Sequence, residues 1–136
     1  MVDCIYKVSD YMSKLPAFVQ AESHLDNVLS KMLKFKMKEL PVIDSKIKVK
    51  NFVSQKTLFK YFDNLDSLSI SDILSGENHG IIAYPDSDLD EIYSIMKSLS
   101  LHYIPIVKNP WDRKLMGFLC IKKLEKQFKK KVSIAS

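Results

Sequence analysis

The chain has 136 residues, a formal net charge of +5, 46% hydrophobic and 27% charged residues. That balance fits one domain or two very small ones and argues against disorder. No apolar run reaches the ~18 residues of a membrane span, no basic stretch followed by an apolar block opens the sequence, and two cysteines with three histidines are too sparse for a disulfide or metal framework, so a soluble, reduced, cytoplasmic protein with no membrane partner is expected.

In chain order the lead-in Val8-Ser9-Asp10-Tyr11-Met12 comes first, then a short strand at Ala17-Phe18-Val19. A helix follows, with Ser23 as expected N-cap and Asp26 three residues on in a capping-box arrangement. Its apolar face is Leu25, Val28, Leu29 and Met32, at helical spacings of three and four. Strands are expected from Leu40 to Ile43 and from Lys48 to Val53, and a helix from Gln55 to Phe62. The polar stretch Asp63 to Leu68 reads as a short connector.

The order then repeats. Ile70-Ser71-Asp72-Ile73-Leu74 matches the lead-in, and Asp86-Ser87-Asp88-Leu89-Asp90 matches Glu22 to Asp26. Ile81-Ile82-Ala83 is the strand, with Ser87 and Asp90 as expected caps and Leu89, Ile92, Ile95, Met96 and Leu99 as the apolar face. Ile104-Pro105-Ile106-Val107 answers Leu40-Pro41-Val42-Ile43, and Gly117-Phe118-Leu119-Cys120 answers Asn51-Phe52-Val53-Ser54. The offset drifts only from 62 to 64 to 66. A last helix runs from Ile121 to Lys130. The expected fold is therefore α/β (α+β): two β-α-β-β-α repeats, 1–64 and 65–136, the second with a basic C-terminal tail. One such unit has a one-sided sheet and cannot bury enough alone. Packing sheet against sheet about a pseudo-two-fold axis gives one core.

A Val-Ser-Asp-x-Met lead-in, a capped amphipathic helix with Met near its end, a Leu-Pro-Val strand and a Gly-apolar-apolar-Ser/Thr passage before a final helix resemble the CBS (cystathionine-beta-synthase) domain. Two in tandem resemble a CBS pair, or Bateman module, over about residues 7 to 130. The resemblance implies a non-catalytic regulatory module. It requires no cofactor and takes AMP, ADP, ATP or S-adenosylmethionine as a regulatory ligand between the halves, often within a homodimer that signals to an unknown protein partner.

By the same resemblance, Ser54 would face phosphate and Thr57 stands at the place of a ribose-holding Asp; the second half has Cys120 and Lys123 there. Phe18, Val42, Ile82 and Ile106 fall near the base-contacting strands, and His102 near a phosphate-contacting position. A helix N-terminus suits an anion through its free N–H groups and dipole. Lys56, Lys122 and Lys123 beside the two helix starts add positive charge. With no ribose carboxylate in either half, a phosphate-rich ligand fits better than one read through its sugar. The rival reading is a degenerate pair that serves as a dimerising scaffold without nucleotide.

Plainer roles stand beside these. Ser54 can be an N-cap, Thr57 and Lys123 solvent-facing helix residues, and Cys120 a buried small apolar side chain. Trp111, on the turn Lys108 to Lys114, reads equally as a partner contact or as a ring packed on the sheet edge. The run Lys122, Lys123, Lys126, Lys129, Lys130, Lys131 reads as a solvated helix face. With a single Arg in the chain and no interleaved aromatics, nucleic acid is not an expected partner. No phosphate-cradling glycine loop, nucleophile elbow or apolar carboxylate pair is present, so no enzyme is expected.

Overall fold

The computed structural model of the chain describes residues 7–13, 18–74 and 80–127. The expectations placed on Ala17 and on Lys129 to Lys131 fall outside them. In the first half β1 (Val19–Gln20) leads to α1 (Leu25–Phe35), β2 (Glu39–Ile43), β3 (Val49–Ser54) and α2 (Gln55–Phe59). A short α3 (Ile70–Ile73) follows, then α4 (Leu89–Ser98), β4 (Tyr103–Val107) and β5 (Leu115–Cys120). Residues 121–127 form α5. The fold is mixed α+β, as the repeat implies.

The two hairpins share one register. Pro41 pairs with Phe52 and Val42 with Asn51, as Pro105 pairs with Phe118 and Ile106 with Gly117. Both carry a bulge at the equivalent step, Val42/Ile43 and Ile106/Val107. Each middle strand also takes a parallel neighbour, Val19 beside Val42 and Ala83 beside Ile106. The expected strand at 81–83 is thus a single bridge at Ala83. Both long helices end with a left-handed residue, Lys36 and Ser100, each at φ 55°, which lets Met37 and Leu101 donate back to Met32 and Met96.

Ser23 and Ser87 do not cap the helices. Their hydroxyls accept from Gln20 N (3.1 Å) and Tyr84 N (2.9 Å), closing the turns that precede the helices. The N-caps are His24 and Asp88, and Asp88 accepts from Asp90 N at 3.2 Å. His24 gives no side-chain cap. Leu25 N and Asp26 N instead donate to Leu68 O and Leu65 O of the connector at 3.0 and 2.9 Å. Tertiary packing supplies the acceptors a cap would give. α2 ends at Phe59, short of Phe62, and a 3-10 turn over Phe62–Asn64 begins the connector. Leu99 stands 52% exposed beyond the apolar face of α4.

The lead-in segments cross over. Val8 N and Ser9 N donate to Ser87 O and Pro85 O of the second half, while Ile70 N and Ser71 N donate to Ser23 O and Ala21 O of the first. Val8 and Tyr11 are buried among Ala83, Leu89, Ile92, Met96 and Ile106. Ile70 is buried among Val19, Leu25, Val28, Met32 and Val42. Ser13 exchanges both backbone bonds with Phe118 at 2.8 and 2.7 Å. Gly117 makes this approach possible, because a Cβ there would stand 2.7 Å from Ser13 O. Between the sheets Ile43, Val49, Phe52 and Val107 form a third cluster, flanked by Phe18, Ile82, Tyr84 and Leu115. The sheets therefore pack face to face, and neither half closes its core alone.

Candidate functional site

Lys38 and His102 are repeat counterparts immediately before β2 and β4. Each gives its carbonyl to the first N–H of the helix that follows the paired strand: Gln55 N to Lys38 O at 2.9 Å, Ile121 N to His102 O at 3.0 Å. Their side chains are thereby held beside helix starts. Around His102 a pocket of about 290 Å3 opens where the halves meet. Lys38 of the first half lines it together with Lys97, His102, Lys122 and Glu125 of the second. Glu125 is engaged, accepting from Tyr93 Oη at 3.1 Å and from Lys97 Nζ at 3.3 Å. Burial, and then Glu125, push the Tyr93 phenol above its ordinary value, so it stays a donor. Three lysines against one carboxylate give the pocket a positive potential, suited to an anion.

His102 and Lys122 thus share one pocket, whereas Lys123 lies exposed on the same turn and does not line it. In the first half Ser54 is the N-cap of α2. Its hydroxyl accepts from Thr57 N at 3.1 Å and shares a 3.0 Å hydrogen bond with Thr57 Oγ1. Lys56 is exposed in that turn. Phe18 and Ile82 each pack against the inter-sheet cluster, and Lys31 Nζ sits 5.4 Å from the Phe18 ring centre. Ile106 is fully buried in the second core.

Val42 is also buried, but it borders a different cleft of about 480 Å3 with Gln20, Glu22, Asp44, Asn51 and Ser71. This cleft lies at the opposite end of β3 from Ser54. Its Asp44 carboxyl is held below its ordinary value, chiefly by the backbone N–H of Lys48.

A small gap lies at the edge of the inter-sheet layer. Glu39, Phe52, Ile81, Leu101, Tyr103 and Pro105 leave a gap of only about 20 Å3. Burial pushes the Glu39 carboxyl up, and burial together with Cys120 pushes the Tyr103 phenol up. Cys120 is half-buried at this edge, more open than a core cysteine, because β5 ends there. A carboxyl whose folded value is raised gives its full contribution below the unfolded value near 4.5 and loses it as pH climbs through the folded one. Glu39→Gln should therefore raise the melting temperature at pH 7 by on the order of a degree or two and leave it unchanged at pH 3; equal shifts at both pH values would refute this assignment.

Lys38 and Lys97 were not marked by the sequence reading. Lys38 carried a usable signal, since it occupies the repeat position of His102. Lys97 enters only because the last turn of α4 packs beside α5. Among the described residues no group of three or more His, Cys, Asp or Glu comes together as a metal site, and no helix is long and apolar enough to cross a membrane.

A family model for the CBS domain matches residues 8–64. No match to a curated protein was found. Among solved structures the chain is similar to the CBS domain pair of protein MJ0100 in complex with 5'-methylthioadenosine and S-adenosyl-L-methionine: 20% identity, TM-score 0.68, covering 93% of this chain and 98% of that one. It is similar to CBSX2, a CBS-pair protein of Arabidopsis thaliana, in complex with AMP: 20% identity, TM-score 0.68, covering 92% and 97%. A CBS domain pair/ACT domain protein of Thermotoga maritima gives 16% identity and TM-score 0.71 over 92% and 98%. At these identities the likeness is one of fold. With the shared hairpin register and the two-layer core, it leads to one conclusion: the chain has the fold of a CBS-domain pair, and residues 8–64 match the CBS-domain model.

Proposed function

We propose that the protein is a non-catalytic regulatory module whose two halves, 1–64 and 65–136, close on an adenosine nucleotide (AMP, ADP or ATP) or a similar anionic ligand, with S-adenosylmethionine a further regulatory candidate, as a homodimer that signals to a protein partner. The observation that carries this reading is the basic pocket of Lys38, Lys97, His102 and Lys122, drawn from both halves. An anion held there attracts lysines of both halves and so favours one arrangement of the repeats over another, which is the condition for a ligand to shift a conformational equilibrium. A volume of about 290 Å3 is at the lower end of small-molecule sites, and the dominance of ammonium groups selects for phosphate rather than sugar. Ser54, Lys56 and Thr57 form the candidate first-half site, Lys122 and Lys123 flank the second-half helix start, and Phe18, Val42, Ile82 and Ile106 are the proposed base-side strand positions.

A second reading, a dimerising scaffold without nucleotide, has its own support. The gap of about 20 Å3 lined by Glu39 and Tyr103 is itself too small for a purine, and Thr57 and Lys123 replace the ribose carboxylate that the family resemblance calls for. Thermal unfolding with AMP, ATP, S-adenosylmethionine and inorganic phosphate separates the two. A ligand at ~100 times its dissociation constant should add about 2.7 kcal/mol, a rise of several degrees. Lys38→Ala with His102→Ala should abolish that rise, while Ser54→Ala with Lys56→Ala should leave it if the ligand sits in the basic pocket. No rise with any of the four compounds would sink the nucleotide reading and leave the scaffold.

A further inference from the structure

The two hairpin turns, 44–50 and 108–114, are far apart in sequence but form one surface. Lys48 bridges to Lys114, Val49 N donates to Arg113 O, Leu115 N donates to Ile47 O, and Arg113 Nε donates to Val49 O at 3.0 Å. This end of the molecule carries Lys46, Lys48, Lys50, Lys108, Arg113 and Lys114 against only Asp44 and Asp112. Both carboxylates already face lysines, at 3.9 Å for Lys50–Asp44 and Lys48–Asp112 and 4.0 Å for Lys108–Asp112. At the tip Trp111 is 90% exposed and Ile47 is 45% exposed. Trp111 is held rather than loose, since Asn109 Oδ1 accepts from both Trp111 N and Asp112 N at 2.9 and 2.6 Å. None of these residues lines the basic pocket.

We infer that this joined tip is a docking surface for an anionic lipid bilayer. An indole presented at the crest of a cationic surface matches the membrane interface, where tryptophan is favoured at headgroup depth and lysine stems carry their charges to lipid phosphates. The chemistry favours lipid over other acidic partners. Lysine is depleted from protein–protein interfaces, where arginine is preferred, and the single arginine here is tied to Val49 O. One aromatic ring gives no run of stacking platforms for nucleic acid. The lack of an apolar span bears on crossing a bilayer, not on resting against one. The inference stands apart from the nucleotide reading, because it uses other residues and needs no ligand.

Trp111 is the only tryptophan, so the full chain reports on its own contact. With phosphatidylcholine vesicles containing about one third phosphatidylserine, Trp111 emission should shift to the blue and the protein should co-sediment. With phosphatidylcholine alone neither should occur. Salt at about 0.5 M should reverse the binding, by screening. Lys46→Ser with Lys108→Ser and Lys114→Ser should weaken co-sedimentation by about tenfold or more, and Trp111→Ser should weaken it as well, with circular dichroism confirming that each variant is folded. Equal behaviour with both vesicle types overturns the proposal. So does binding that survives both sets of substitutions, or a Trp111 response to single-stranded DNA or polyglutamate but not to vesicles.

Discussion

Phe118→Ala should cost about 3–5 kcal/mol, a large part of the 5–15 kcal/mol typical of a domain. The ring is 1% exposed, and although it belongs to β5 it is buried within the first half's cluster, with Val19, Leu40, Val42 and Val53. Truncation removes the apolar area and leaves a cavity that strands tied by backbone bonds cannot close. Its backbone also holds the lead-in through Ser13, so relaxation toward the hole is opposed. Urea unfolding measures the cost as a lower midpoint at constant slope. The transition should stay single, because the residue is shared between halves. Two separated transitions, or a loss below about 1 kcal/mol, would contradict the interlocked core.

Gly80→Ala is expected to have the next largest effect, about 2–3 kcal/mol. A Cβ built at Gly80 would overlap Cγ and both Cδ carbons of the Phe52 ring. Turning the ring about its own axis leaves Cγ in place, and a change of χ1 would drive the ring into the packed neighbours that bury it. Phe52 is 2% exposed and packed with Ile43, Val49 and Val107, so the backbone around Gly80 must shift instead. The constraint is one of space, and a smaller side chain at position 52 should relieve it. Phe52→Leu alone should destabilise, yet Gly80→Ala added to it should cost less than half of what it costs in the parent. Simple additivity in that cycle would show that the two positions do not touch.

Much of the fold was legible because it is written twice. The β2–β3 and β4–β5 hairpins, their proline-containing middle strands and the apolar faces of α1 and α4 follow from local periodicity, and the repeat confirmed each half against the other. The errors have different origins. Ser23 matches a capping pattern, but the N–H groups of α1 are taken by Leu65 O and Leu68 O, which no local rule can see, whereas at α4 the cap lies one residue past Ser87, at Asp88. His102 and Lys122 were marked singly and found together. Lys38 came to them from the other half. Trp111 was balanced between packing and contact, and at 90% exposure it does not pack.

What the sequence determined by itself is the unit: a strand, a helix and a hairpin, because these depend on neighbours within a few residues or on a repeated pattern. Only the tertiary structure decided how the units lock. The lead-ins cross to the opposite half, Phe118 fills a core it is distant from in sequence, the hairpin tips fuse into one basic end, and the lysines of three segments converge on His102. Each of these is a contact between surfaces that are separately amphipathic. Hydrophobic burial is non-directional, so sequence says that such faces must be covered, and packing geometry alone says by what.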